Sequence, residues 1–168
     1  NLNIMSSGLG QNVEKILKGN MEMITNNEMK NVIVKFGLLL KNFKRSEIKE
    51  ALRKFDNSIK IQKRVADVQL APRIYDSFVY QDRDIIRTVI IMDYAEGDTI
   101  DKIKEKLKDS PELLKEEEDL AKQSLFELHH LGIIHGDINH GNMIKVNNIS
   151  GWLTDDIIGD DLRIFSSG

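Results

Sequence analysis

The sequence predicts an α+β fold: an antiparallel sheet with one helix over residues 1–93, then a mainly helical segment over residues 94–168. Two observations carry the prediction. From Leu2 to Phe36 short β-favouring runs alternate with turn residues, and after Gly97 apolar residues recur at helical spacing. The length of 168 residues suits one domain, or two small lobes sharing a cleft, and is enough to bury a core. Asp93 to Gly97 is the natural hinge between the two patterns.

Leu2 to Met5 reads as a first strand, followed by the loop Ser6-Ser7-Gly8-Leu9-Gly10. Val13 to Leu17 and Val32 to Phe36 read as further strands, with turns at Gly19-Asn20 and Asn26-Asn27 between them. Ile48, Leu52, Phe55 and Ile59 then recur at four, three and four residues, one stripe of an amphipathic helix that Ser46 caps. It ends before Leu70-Ala71-Pro72, as one long helix or two short ones. Ile74 to Tyr80 and Thr88 to Asp93 add two strands around the polar turn Gln81-Asp82-Arg83-Asp84.

In the second half, Ile100 to Lys108 reads as a helix and Ser110 opens a better-signalled one. Ser110 is a natural N-cap, Pro111 suits the first helical position, and Glu112 and Glu116 to Glu118 place acid toward the positive end of the helix dipole. Leu113, Leu114, Leu120, Leu125 and Leu128 supply its expected buried face. Met143 to Val146 and Gly151 to Thr154 read as a short hairpin turning at Asn147-Asn148.

Composition excludes several classes of function. Hydrophobic residues at 40% and charged residues at 30% describe a soluble globular protein, and no apolar run approaches the roughly 18 residues of a membrane span. The absence of cysteine rules out disulfides, thiolate zinc sites and cysteine nucleophiles, and fits an intracellular, cytoplasmic protein. The net charge of −3 says little about partners, and the basic clusters Lys41 to Arg45 and Lys60 to Arg64 read as solvated helix faces rather than nucleic-acid contacts. Asn1 in place of Met, without a basic-then-apolar leader, reads as a fragment boundary.

The chemistry concentrates in Ile133-Ile134-His135-Gly136-Asp137-Ile138-Asn139-His140-Gly141-Asn142, where a carboxylate and a carboxamide stand five residues apart. Phosphoryl transfer needs that pair. One acid must sit beside the attacking hydroxyl, and a neutral oxygen ligand must hold the magnesium that neutralises the phosphates; Asp137 and Asn142 are the candidates.

Four separated pieces occur in order and together resemble the protein-kinase-like superfamily. They are Gly8-x-Gly10, the strand Val32-Ile33-Val34-Lys35, the segment Ile90-Ile91-Met92-Asp93-Tyr94-Ala95-Glu96-Gly97, and His135-Gly136-Asp137 with Asn142. The His-Gly-Asp form is similar to the small atypical branch: KEOPS-type and Rio-type kinases with the aminoglycoside and choline phosphotransferases. The resemblance implies a two-lobed kinase-like fold whose N-lobe is an antiparallel sheet plus helix and whose mainly helical C-lobe is truncated. It also implies ATP and Mg2+ as cofactors. By the same resemblance Lys35 holds the α- and β-phosphates, Gly8 and Gly10 bring backbone amides to phosphate oxygens, and Met92 is a gatekeeper. The Asp93 carbonyl and Ala95 amide face the base, and Asp137 orients the acceptor hydroxyl. Asn142 and Asp155 bind magnesium, with Asp156 as the adjacent alternative to Asp155, and His135 buttresses the loop. His129, His130 and His140 are not assigned to zinc, since carboxylates are already placed for a hard cation.

Two departures from the family pattern keep rival readings open. Ser58 falls where the family places the glutamate that pairs with the strand lysine. Glu47 shares nearly the same helical face but lies about 16 Å away along the axis, and Asp56 points to almost the opposite side. The chain also stops thirteen residues after Asp155, with no Ala-Pro-Glu-like segment, and no arginine precedes Asp137 to receive an activating phosphate. The leading expectation is an ATP- and Mg2+-dependent phosphotransferase acting on a hydroxyl, a protein serine or threonine ahead of a small molecule. The alternatives are a nucleotide-binding pseudokinase or interaction module, and an RNA-associated module.

Overall fold

Strand β3 (Met29–Lys41) is paired along both edges, and the first half of the molecule is built outward from it. The computed structural model describes residues 3–4, 13–134, 143–146, 152–154 and 163–164. β2 (Val13–Glu22) lies on one side of β3 and β5 (Ile85–Asp93) on the other. β1 (Asn3–Ile4) and β4 (Ile74–Asp82) complete a five-stranded antiparallel sheet in the order β1-β2-β3-β5-β4. The molecule is therefore α+β, as expected. By Cα proximity the chain divides into one unit of Asn1–Lys60 with Arg73–Tyr94 and another of Ile61–Pro72 with Ala95–Gly168.

The strands run further than local propensity predicts. Gly19-Asn20, expected as a turn, is strand: Gly19 pairs with Val32 and Asn20 with Asn31. A continuous ladder with β3 outweighs the weak β-preference of these two residues. The reversal comes at the other expected turn, where the amide of Met23 donates to the Glu28 carbonyl at 2.9 Å and that of Asn27 to Met23 at 2.9 Å. Asn27 holds φ 52°, a left-handed conformation asparagine tolerates, and the Asn26 side-chain oxygen accepts from the Glu28 amide at 3.0 Å. Between β4 and β5 the turn contracts to Arg83-Asp84, with Arg83 at φ 59°.

Helix α1 (Arg45–Asp67) is a single helix of 23 residues. Ser46 is its second residue rather than its cap. Phe55 and Ile59 of the predicted stripe are buried, and Ile48 and Leu52 are half-buried. Of the two basic clusters, Lys41 ends a strand rather than facing off a helix. In the other, Ile61 and Gln62 are buried, and Arg64 donates to the Leu131 carbonyl at 3.1 Å. The helix closes with two backbone bonds, Leu70 N–H to Val65 C=O at 3.1 Å and Gln69 N–H to Ala66 C=O at 3.0 Å, around Gln69 at φ 62°. This is a Schellman closure with glutamine where glycine is usual, and Leu70 and Val65 share one apolar cluster, the contact that normally accompanies it.

That cluster is the core of the second unit: Ile61, Val65, Leu70, Ala71 and Leu128, with Leu131 packed against it. Leu128 comes from α3 (Pro111–His130), which starts with Pro111 at its first turn as expected. Ser110 makes no side-chain cap bond; its carbonyl instead accepts from Leu114 at 3.0 Å. The buried face of α3 also differs from expectation. Leu113 is 51% and Leu120 39% exposed, whereas Ala121, Ser124 and Leu128 are buried. Small side chains at 121 and 124 allow close packing, and Ile100, Ile103 and Leu125 gather around Ala121. Ile100 and Ile103 belong to α2 (Ile100–Lys106), whose cap is Thr99, its hydroxyl oxygen accepting from the Lys102 amide at 3.4 Å.

Three short strands complete a second sheet: β6 (Gly97–Thr99), β8 (Met143–Val146) and β9 (Trp152–Thr154), in the order β6-β8-β9. β8 and β9 pair as the expected hairpin; its Asn147-Asn148 turn lies outside the described residues. A two-stranded pairing joins β7 (Ile133–Ile134) to β10 (Arg163–Ile164). Lys145 of β8 is ion-paired with Glu117 of α3. Lys106 meets Asp98 at 2.6 Å and, as its hydrogen-bond donor, holds that carboxyl below the usual carboxylate range.

Candidate functional site

Alternation along β3 sends Val32, Val34 and Phe36 to one face and Ile33 and Lys35 to the other. Directly opposed residues share a face, so Ile16, Lys35, Ile90 and Ser77 form one cross-strand row. Two residues along, Lys18, Ile33 and Met92 form the next row on that face. Lys35 therefore stands at the middle of the central strand between Ile33 and Ile90, both buried, and is itself only 8% exposed. A position whose neighbours are isoleucines would accept an apolar residue without penalty. A lysine at such a position is accommodated where its ammonium is paired or hydrogen-bonded.

Met92 is wholly buried beside Ile33 and lies on the Lys35 face. Asp93, the last residue of β5, is engaged through two groups. Its amide donates to the Arg73 carbonyl at 2.9 Å, and its carboxylate accepts the hydroxyl of Tyr75. Burial first, and then the bond to Asp93, pushes the Tyr75 hydroxyl up to about 12. The next residue, Tyr94, is tied to β3 by its amide, which donates to Asn31 at 3.1 Å. The Lys18 ammonium lies 3.9 Å from the centroid of the Tyr94 ring. Ala95 follows, half-buried, in an irregular stretch before β6.

No protein-family model matches the chain, and no curated protein matches it in sequence. The reading of the site rests on its own residues.

Of the predicted site residues, the structure brings Lys35 and Met92 to one face of one sheet and puts Asp93 at the end of the strand that carries Met92. Gly8, Gly10, Asp137, Asn142 and Asp155 lie outside the described residues, as do His135, His140 and Asp156. β8 and β9 pair from Met143 opposite Thr154. Among the described residues no group of three or more histidine, aspartate or glutamate side chains is placed to hold a metal ion. Ser58, in the register of the expected glutamate, donates its hydroxyl to the Lys54 carbonyl at 3.0 Å, within its own helix.

Two features escaped the sequence reading. Tyr75 and Asp93 are 18 residues apart and meet only because β4 and β5 pair with an irregularity between Ile74 and Asp76, at which Tyr75 sits. Lys18 and Tyr94 are separated by more than seventy positions, and no local periodicity links them. Strand alternation could have put Lys18 on the Lys35 face had β2 been recognised as continuing through Gly19.

Proposed function

We propose that the chain is an ATP- and Mg2+-dependent phosphotransferase of two-lobed, kinase-like architecture that moves a γ-phosphate to a hydroxyl, with a protein serine or threonine as the favoured acceptor. The observation that carries this reading is Lys35: a buried lysine on the central strand of an antiparallel sheet, on the face shared with Met92 and leading to the 93–97 segment. In this reading Lys35 pairs with the α- and β-phosphates, and the Asp93 carbonyl and Ala95 amide meet the base. Gly8 and Gly10 lend backbone amides to the phosphates, and Asp137 takes or orients the proton of the attacking hydroxyl.

Asn142 and Asp155 offer a carboxamide oxygen and a carboxylate, hard donors of the kind magnesium prefers. When bound, the ion neutralises charge on the phosphates. A second reading, nucleotide binding without transfer, is favoured by Ser58, which stands in the register of the expected glutamate and whose hydroxyl is turned back onto its own helix.

The two readings separate on thermal stabilisation by Mg-ATP and on phosphate transfer, measured for the natural chain, Lys35→Ala and Asp137→Asn. Under the enzyme reading Mg-ATP stabilises the natural chain, Lys35→Ala loses that stabilisation, and Asp137→Asn lowers transfer by about 10²- to 10⁴-fold. Stabilisation with transfer no faster than in Asp137→Asn would leave the binding module. No stabilisation by any nucleotide would defeat both.

A further inference from the structure

Strands covered on one face alternate apolar with polar, whereas strands covered on both faces read as nearly unbroken apolar runs. The central strands are of the second kind: β3 carries Val32-Ile33-Val34-Lys35-Phe36 and β5 carries Val89-Ile90-Ile91-Met92. The face of Lys35 is covered, with Ile33, Ile90 and Met92 all buried. The opposite face is no less apolar, yet it is open. Val34, Phe36 and Leu38 of β3 and Ile91 of β5 are only half-buried, and on β4 Phe78 is 47% and Tyr80 39% exposed. Register makes them one patch. Phe36, Val89 and Phe78 form a row, flanked by the row of Val34, Ile91 and Asp76 and by that of Leu38, Arg87 and Tyr80. A contiguous exposed apolar patch of this kind marks a contact surface.

The two rims of the patch differ in charge. On the β2 side the row of Phe36 ends in exposed Lys15, its ammonium 5.8 Å from the Phe36 ring centroid. On the β4 side the neighbouring row ends in exposed Asp76, whose carboxylate accepts from the Ser77 amide at 2.8 Å. Asp82, further along that rim, already pairs with Arg87 at 3.1 Å. Among the described residues neither Lys15 nor Asp76 takes part in an ion pair. A basic rim and an acidic rim on either side of one apolar face make that face complementary to itself. A two-fold axis parallel to the strands lays the β2 side of one copy on the β4 side of a second. Phe36 then meets Val89 of the second copy, and Lys15 lies over its Phe78 and beside its Asp76. By symmetry each contact occurs twice.

We propose that the chain forms a symmetric dimer through this face, the open sides of two sheets packing together with their strands nearly aligned. The four long strands have nine or more residues each. At about 4.8 Å spacing and 3.3 Å rise they present roughly 570 Å², so two copies cover about 1,100 Å², just above the about 1,000 Å² a specific interface requires. The dimer is therefore a weak one. It is independent of the nucleotide reading, because Lys35 and Met92 lie on the other face.

The test is sedimentation equilibrium of the whole chain from low micromolar to millimolar concentration, with circular dichroism to report the fold. The natural chain is compared with Phe78→Ser/Tyr80→Ser, Lys15→Glu, Asp76→Lys and the swap Lys15→Glu/Asp76→Lys. The natural chain is expected to pass from monomer to dimer as concentration rises. Phe78→Ser/Tyr80→Ser should weaken the dimer about tenfold or more with unchanged circular dichroism, since both side chains are exposed in the single copy. Each charge reversal alone should weaken it about fivefold, two symmetric pairs being lost at once. The swap should return it to within about twofold of the natural chain.

A natural chain that stays monomeric at every concentration would overturn the proposal and leave the face to a different partner. So would a dimer that survives Phe78→Ser/Tyr80→Ser, or two charge reversals whose effects add in the swap instead of cancelling. Should the double serine variant lose its fold, the charge swap decides alone.

Discussion

The sheet unit and the helical unit solve the same packing problem differently. In the first, β2, β3, β4 and β5 are 9 to 13 residues long, and the buried residues of these strands are placed by register against partners on the next strand. In the second, the described strands are two to four residues long, and burial comes from one stripe of α3 meeting the end of α1. A ladder transmits position along many residues, so the face of Lys35 follows from that of any neighbour. A helix stripe depends on a few side chains, so one leucine carries much of the packing.

The largest expected effect tests that concentration. Leu128→Ala should destabilise by about 2–5 kcal/mol, while Leu113→Ala on the same helix stays within about 0.5 kcal/mol, both read from urea unfolding. Comparable losses at the two sites would mean the buried stripe runs through Leu113 after all.

A middle-sized effect probes the sheet unit at Tyr75. Its folded-state pKa is raised from 10 to about 12, so the folded form holds its proton where the unfolded chain has lost it. The stability it contributes is complete below pH 10 and is lost as pH rises toward 12. Tyr75→Phe should remove that alkaline loss and lower stability at neutral pH by about 1 kcal/mol, from the lost hydrogen bond to Asp93. An unchanged alkaline transition in the variant, followed by tyrosinate absorbance and circular dichroism, would assign it elsewhere.

The smallest effect lies where α1 ends. Gln69→Gly relieves a left-handed residue and should stabilise by about 0.5–1 kcal/mol. A loss of stability would show that the glutamine side chain contributes more than its backbone strain subtracts.

Much of the architecture was legible because it is periodic. The alternation around Lys35, the stripe through Phe55 and Ile59, Pro111 at a helix start and the pairing of 143–146 with 152–154 are short-range patterns in which neighbours constrain neighbours. Gly19-Asn20 misled because a local turn preference was weighed without the strand on the other side. Leu113 and Leu120 misled because leucine is apolar wherever it stands, and only the packing partner decides which face is covered. At the candidate site, the resemblance to the kinase-like superfamily nominated Lys35, Met92 and Asp93, but the engagement of Asp93 by Tyr75 was invisible.

By itself, then, the sequence determined the α+β class and the order of the longer strands and helices, and it nominated residues for a site, because these depend on alternation, helical period and side-chain type within a few positions. Only the tertiary structure decided that Lys35 is buried in the middle of a five-stranded sheet, that Tyr75 meets Asp93, and that Lys18 lies over Tyr94. Those facts depend on which distant strands pair and in what register, and a one-residue slip in that register would send every one of these side chains to the other face.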